Sequence, residues 1–331
     1  MEVMILGRKE IEKVLEMPKV IKGVEEVYKL KAAGKTVVWP LVSYDFEEKK
    51  AVMDIRSGCV FGENLHGLKM LNNFPLNVQN GLPPFNGMLM IFDSETGIPL
   101  GVMDASYITC MRTGAAGAIG AKTLARADSE TLFILGAGKQ AAYQIKASLI
   151  LMPQIKKVYI ADVINSENAV HLAEEFEKSM DYVHCRFEAV GNLEKAVGES
   201  DVIITVTPSR SPVIKKEWIK PGTHFSCIGA DMEGKEEIDP KIFAGARIYA
   251  DDKAQCIKVG EMEIPLRDGY ISEQDICGEI GQVLAGQIKG RESQEEITIF
   301  DATGLALLDL VTGKCAIELA REKGLGIKAD I

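Results

Sequence analysis

Leu132-Phe133-Ile134-Leu135-Gly136-Ala137-Gly138-Lys139-Gln140-Ala141 is the stretch from which the fold is read. Its first four residues predict a short buried strand, and a helical pattern follows the small-residue turn to about Met152. The turn has the spacing GxGxxA. Gly136 permits the tight bend, Gly138 lets a diphosphate approach the backbone, and Ala141 lets the helix lie close to the strand. Free N–H groups at the helix start, with Lys139 and Gln140 in the same loop, then face the phosphates. A second apolar run, VYIAD, ends at Asp162, and 162 − 141 = 21 residues past the motif. An acidic residue there meets the adenosine ribose hydroxyls. The carboxylate repels a 2′-phosphate and no Arg follows in VINSEN, so the reading is NAD(H) over NADP(H). The alternative is a flavodoxin-like turn that holds no dinucleotide.

Farther along, residues 202–207, 224–228, 247–250 and 297–300 read as strands separated by helical stretches. That alternation predicts a parallel, doubly wound Rossmann-type sheet of α/β class. Thr205 and Thr207, at the end of VIITVT, are either hydroxyls lining a cofactor cleft or ordinary β-branched strand composition. Upstream, residues 8–33 read as one helix ending near Gly34. Apolar runs at 37–42, 51–55, 67–71, 88–92 and 100–103 then predict a mostly antiparallel sheet, its clearest turn at 93–97. An Ala/Gly-rich helix is expected over 109–124 and a long helix over 305–323. The chain thus divides into a smaller α+β domain over 1–115, a dinucleotide-binding domain over 116–303, and a C-terminal helix, about 304–331, that returns to the first.

At 331 residues, 47% apolar and 26% charged, the chain can build about two ordinary globular cores. The charge is 38 − 48 = −10 with no basic run, which argues against nucleic acid as a partner. No stretch reaches the roughly 20 apolar residues of a membrane span, and MEVMILGRKEIEKVLEM turns charged too early for a signal peptide. Seven Cys form no CxxC pair, so scattered thiols in a reducing cytoplasm are expected, not disulfides or a zinc knuckle. The four His show no metal-ligand spacing, and no metal is expected.

Five segments, GLKMLNNFPLNVQNGLP, TGIPLGVMDASYITCMRTGAAGA, LGAGKQA, CIGADMEGKEEID and ITIFDATGLALLD, carry a resemblance in their order and spacing. Together they resemble the ornithine cyclodeaminase/mu-crystallin family over roughly residues 60–320. The resemblance implies a cytoplasmic, NAD(P)-dependent homodimer whose first domain binds substrate and dimerises. Family members include ornithine and lysine cyclodeaminases, archaeal alanine dehydrogenases, ketimine and cyclic-imine reductases, and non-enzymatic crystallins. Their common chemistry is hydride transfer at an amino-acid α-carbon, between amine and imine. It implies that Lys69 lies beside the substrate carboxylate, that Arg112 clamps it, and that Asp231 is the acid/base next to the nicotinamide. It further implies Thr113 near the cofactor diphosphate and Thr303-Gly304 near the nicotinamide.

The residue chemistry agrees with those roles. A planar Arg suits a bidentate carboxylate clamp, a Lys at the site can add charge and move a proton, and an Asp beyond a strand end sits where this fold binds ligands. Plainer readings stand beside them: Arg112 solvated on its helix, Lys69 an exposed strand residue, and Asp231 a turn residue. Glu236 and Glu237 read as the solvated face of the loop, although one can orient neighbours. The chain departs from the family where an early-sheet Arg is usual, since Trp39-Pro40-Leu41-Val42-Ser43 offers none. Nearby, Arg56 is a candidate replacement for that clamp and Asp54 a candidate holder of a distal amine; both also read as exposed strand charges. The implied reaction oxidises Cα–H to an imine, which water or the substrate's own distal amine then attacks. In reverse, the same site reduces an imine. The alternative is a crystallin-like or accessory protein that binds dinucleotide without turnover.

Overall fold

The computed structural model describes residues 2–330. The chain forms two compact units, Met1–Arg112 with Leu305–Ile331, and Thr113–Gly304. The first begins with β1 (Glu2–Leu6), α1 (Arg8–Val14) and α2 (Met17–Ala32). The single helix expected over 8–33 is therefore two. Leu15 and Glu16 are extended between them, because Pro18 has no N–H to continue a helix yet fits the first turn of a new one. Strands β2 (Thr36–Val38), β3 (Val42–Phe46), β4 (Ala51–Val60), β5 (Leu65–Asn73), β6 (Phe85–Asp93) and β7 (Pro99–Asp104) follow, then α3 (Ala105–Leu124). The run expected as one strand over 37–42 is split around Pro40, which has no N–H to give a ladder. Helix α3 begins at Ala105, four residues before the expected start, where Asp104 Oδ1 accepts from the Ser106 and Tyr107 N–H groups.

The second unit continues with β8 (Thr131–Leu135), α4 (Ala141–Leu151), β9 (Lys157–Ala161), α5 (Ser166–Glu177), β10 (Arg186–Ala189), α6 (Leu193–Glu199), β11 (Val202–Thr205) and β12 (Arg210–Ile214). Then come β13 (His224–Cys227), β14 (Glu236–Ile238), β15 (Arg247–Ala250), α7 (Lys253–Val259), α8 (Glu263–Arg267), β16 (Ile276–Glu279), α9 (Ile280–Leu284) and β17 (Thr298–Asp301). Finally α10 (Ala306–Glu322) and β18 (Ile327–Asp330) complete the first unit.

In the first unit the sheet order is β18-β1-β7-β6-β5-β4-β2, with β3 also on β4, and only β1–β7 is parallel among these pairs. The β6–β7 turn is closed by Asp93 Oδ1, which accepts from the Glu95 and Thr96 N–H groups. The register aligns Arg56 with Lys69 and Lys69 with Leu89, which puts these side chains on one face. Helix α10 covers that face. A Cβ at Gly67 would fall 2.7 Å from Leu310 Cδ2, and one at Gly313 2.6 Å from both Ile91 Cδ1 and Leu89 Cδ2, so glycines set the close approach.

The second sheet runs β10-β9-β8-β11-β13-β17-β15-β16 and every pair is parallel. Its inner strands are buried on both faces, so they read as continuous apolar runs without alternation. From β8 the chain order leads to β9 on one side and β11 on the other. That reversal is the switch point at whose carboxyl edge such sheets bind ligands.

Candidate active site

The glycine turn lies at the switch point, directly after β8. Gly136 has φ of 101°, and a Cβ there would stand 3.0 Å from Thr207 Cγ2 and Val206 O, so only glycine fits. At Gly138 the space around a Cβ is open and the residue is exposed, which leaves room for a phosphate to meet the backbone. Ala141 is fully buried at the start of α4. Lys139 is exposed, and Gln140 occupies the N-cap position of the helix without a side-chain capping bond. Just beyond β9, Asp162 Oδ2 accepts from Ala137 N–H at 3.2 Å, and Oδ1 accepts from Ile164 and Asn165 N–H. Burial pushes this carboxyl up, but the three N–H groups outweigh it and hold it below its usual range. The loop, the helix start and Asp162 fit a dinucleotide. The carbonyl of Thr113, on α3, accepts from Gln144 Nε2 at 3.0 Å.

Four buried carboxylates underlie the neighbouring strand ends. Asp251 accepts from Gly304 N–H at 2.8 Å and from the Thr303 N–H and hydroxyl at 3.3 Å, so it shapes the Thr303-Gly304 turn. Glu237 accepts from Thr207 and Gly229, Glu261 from the N–H groups of Glu237 and Ile238, and Asp301 from Met262 N–H. Glu236 and Glu237 are thus not a solvated face: both are buried, because β14 turns the loop back against β12. Burial raises Glu237 to about 7 and Asp301 to about 8, and pushes Glu261 well above its usual value. Thr205 and Thr207 are buried at the end of β11. Asp231 lies in the loop after β13, where Lys235 Nζ donates to its Oδ1 at 2.6 Å.

In the first unit, Lys69 on β5 is fully buried and Arg112 on α3 nearly so, which excludes the solvated readings of both. The fold brings both to Asp309, one turn into α10. Lys69 Nζ donates to Asp309 Oδ2 at 2.7 Å and to Thr109 Oγ1 at 3.4 Å, while Arg112 Nε donates to Asp309 Oδ1 at 3.1 Å. Burial, then repulsion from Arg112, lowers Lys69 to about 7 despite the pull of Asp309. Burial pushes Asp309 up, but Arg112 and then Lys69 outweigh it, and the net shift is downward. Arg56 is paired across the strands with Lys69, its guanidinium 3.9 Å from Asp54. Asp54 also accepts from Ser43 Oγ at 2.8 Å, and neither it nor Arg56 is a freely exposed strand charge.

Comparison with known proteins decides the family. The ornithine cyclodeaminase/mu-crystallin family profile matches residues 1–324. The chain belongs to that family. An alanine dehydrogenase of Archaeoglobus fulgidus is 38% identical over 331 residues, 99% of this chain and 98% of that one. An archaeal alanine dehydrogenase dimer solved with bound NAD superposes with a TM-score of 0.93 at 38% identity, covering 100% of both chains. The Thermococcus litoralis Δ1-pyrroline-2-carboxylate reductase, solved with NADH and L-proline, gives 0.92 at 32% identity, covering 99% of this chain and 100% of that one. Within this family's Rossmann-type α/β fold, sequence reading missed Asp309, Glu261, Asp251 and Lys235 as organising residues, and left Glu237 open between a solvated face and a residue that orients its neighbours. ITIFDATGLALLD contains Asp309, but its partners lie 240 and 197 residues away in the chain. An acid one turn into an apolar helix was the available signal.

Among the described residues, no group of three or more His, Cys, Asp or Glu is arranged to hold a metal, and no helix is long and apolar enough to cross a membrane. Of the seven cysteines, Cys59, Cys185, Cys227 and Cys256 are buried.

Proposed function

We propose that this protein is an NAD(H)-dependent enzyme that transfers hydride at the α-carbon of an amino or imino acid. The observation that carries the reading is the buried Lys69–Asp309–Arg112 array in a chain that also has a GxGxxA turn open at Gly138. Gly136, Gly138, Lys139, Gln140 and Ala141 would hold the diphosphate, with Thr113 beside it. Asp162 would take the adenosine ribose, and Thr205, Thr207 and Thr303 would line the nicotinamide side. When bound, the nicotinamide supplies the hydride acceptor or donor.

The chain's own groups do the rest. Arg112 seats the substrate carboxylate, joined by Lys69 in its protonated form, so that two basic groups share one internal anion and leave positive charge for an acid. Asp231 takes the proton from the substrate amine and returns it in reduction. Asp54 is already partnered by Arg56 and Ser43. A distal amine would have to compete with those partners for it, which favours amino-acid dehydrogenation or imine reduction over cyclodeamination, and Arg56 extends the acid-binding cations.

The assembly we propose is a cytoplasmic homodimer. Register places Val42, Ile55, Met70 and Met88 in one cross-strand row on the sheet face away from Lys69. Val42, Met70 and Met88 are exposed there, with Trp39, Leu41 and Tyr44 nearby in the chain. An apolar face of this kind marks a contact surface. Light scattering at micromolar concentration should give a dimer; a monomer would refute the assembly.

The deciding experiment follows NADH absorbance with pyruvate plus ammonia, Δ1-pyrroline-2-carboxylate and iminosuccinate, and NAD with L-alanine, L-proline, L-ornithine and L-lysine. Turnover of any of them supports an enzyme. Tight NADH binding with no turnover would favour the crystallin-like alternative, for which the absent early-sheet Arg speaks.

A further inference from the structure

Glu237 is fully buried and lies 237 − 231 = 6 residues beyond Asp231. Its two oxygens divide between two strand ends. Oε1 accepts from the Thr207 N–H at 2.6 Å and from the Thr207 hydroxyl at 2.8 Å, while Oε2 accepts from Gly229 N–H at 3.0 Å. A Cβ on Gly229 would stand 2.5 Å from Oε2 and 2.3 Å from Thr207 O, so the three groups meet only because position 229 is glycine. Thr207 follows β11 and Gly229 follows β13, neighbouring strands of the sheet. Lys235, bonded to Asp231, also donates to Gly229 O at 3.2 Å, so the loop bearing Asp231 is fastened to the same point.

We propose that Glu237 is a positioning residue: its ionised carboxylate ties the Thr207 end of β11 to the Gly229–Asp231 loop, and protonation releases that tie and weakens dinucleotide binding. This rests on the dinucleotide reading above. All three contacts come from donors, which a carboxylate can accept together. A protonated carboxyl carries a donor on one oxygen and loses its negative charge, so the charge-assisted contacts to Thr207 and Gly229 weaken and the oxygen that bears the proton becomes the poorer acceptor. The titratable groups facing it are Glu261, Asp301 and the Cys227 thiol. Burial pushes Glu261 and Cys227 well up and Asp301 to about 8, each toward its neutral form. Glu237 is raised by burial to about 7 and drawn down by the Thr205 and Thr207 hydroxyls, and it is the member of this group that bonds both strand ends.

The test is NADH affinity of the full chain, read from the fluorescence of the bound reduced nicotinamide between about pH 5.5 and 8.5. The wild type should weaken as pH falls, with a midpoint near 7, by about tenfold or more, the worth of one lost charge-assisted hydrogen bond. Glu237→Gln should bind about tenfold more weakly near pH 8 and show no midpoint, because its amide cannot accept from both ends. Thr207→Val removes one donor that favours the ionised form, so its midpoint should move to higher pH. That variant and the wild-type profile decide the matter if Glu237→Gln does not fold. A flat wild-type profile with tight binding, or a Glu237→Gln profile matching the wild type, overturns the inference alone. A wild type that binds no NADH at any pH overturns the dinucleotide reading and this inference with it.

Discussion

In the first unit one fully buried acid, Asp309, stands between two cations, whereas in the second Glu237, Glu261 and Asp301 lie buried together and lean on backbone N–H groups. All four pay the same kind of desolvation, which favours the neutral acid. For Asp309 the opposite charges of Arg112 and Lys69 reverse the direction and the carboxyl falls. For the other three no such reversal occurs and the carboxyls rise. Burial alone therefore does not say what a carboxylate does; its partners decide. In one unit a buried acid holds two basic side chains in place. In its counterpart, buried acids hold loops through backbone N–H groups.

Changes at the two regions should separate binding, turnover and stability. Asp231→Asn keeps the shape but cannot accept a proton, so kcat should fall about 10²–10⁴-fold with NAD and substrate still bound. Steady-state kinetics with a near-normal kcat would make Asp231 a turn residue only. Asp309→Ala leaves Lys69 and Arg112 buried without their anion, and should cost about 3–5 kcal/mol in urea denaturation. A loss under about 1 kcal/mol would mean that solvent screens the array. Because the Asp309 carboxyl is depressed, its contribution should be present above about pH 4 and fade as pH drops through the folded value. Arg112→Ala should cost about 2–5 kcal/mol in substrate binding and leave NAD affinity nearly unchanged. Calorimetry giving the reverse pattern would break the assignment of that cation to the substrate.

Smaller effects are expected in the acid-rich unit. Between about pH 5 and 7 Asp301 keeps a proton when folded and loses it when unfolded, so it lowers stability as pH rises. Asp301→Asn should make that slope shallower by about 1.4 kcal/mol per pH unit, measured by denaturation at several pH values. An unchanged slope would show that Asp301 is ionised in the native protein. Last, Asp162→Ser should narrow the preference for NAD over NADP by about tenfold in a binding titration. Tighter NADP than NAD binding by the wild type would refute the role of Asp162 outright.

Local patterns read well where the chemistry is local. The turn from Gly136 to Ala141 needs small residues for reasons of backbone geometry, and strand-helix alternation follows from burial on both faces of a parallel sheet. Short edge strands such as β10, β16 and β18 escaped, since four residues on a sheet margin carry little periodicity. Lys69, Arg112 and Asp231 were legible through the family resemblance, their surroundings were not. Glu237 lies in a run of charges, DMEGKEEID, whose composition suggests solvent; pairing of β14 with β12 buries it instead.

What the sequence by itself determined is therefore the pair of architectures, the dinucleotide turn with Asp162 at the next strand end, and the family. These depend on residue types at short spacings, where sterics and hydrophobic period act directly. Only the tertiary structure decided that Asp309 is the counter-ion of Lys69 and Arg112, and that Glu237 joins Thr207 to Gly229. Helical periodicity tells which face of α10 is apolar but not which strand meets it. The charge state of a buried group is set by partners brought together across the chain, a sum of solvation and Coulomb energies that no local window contains.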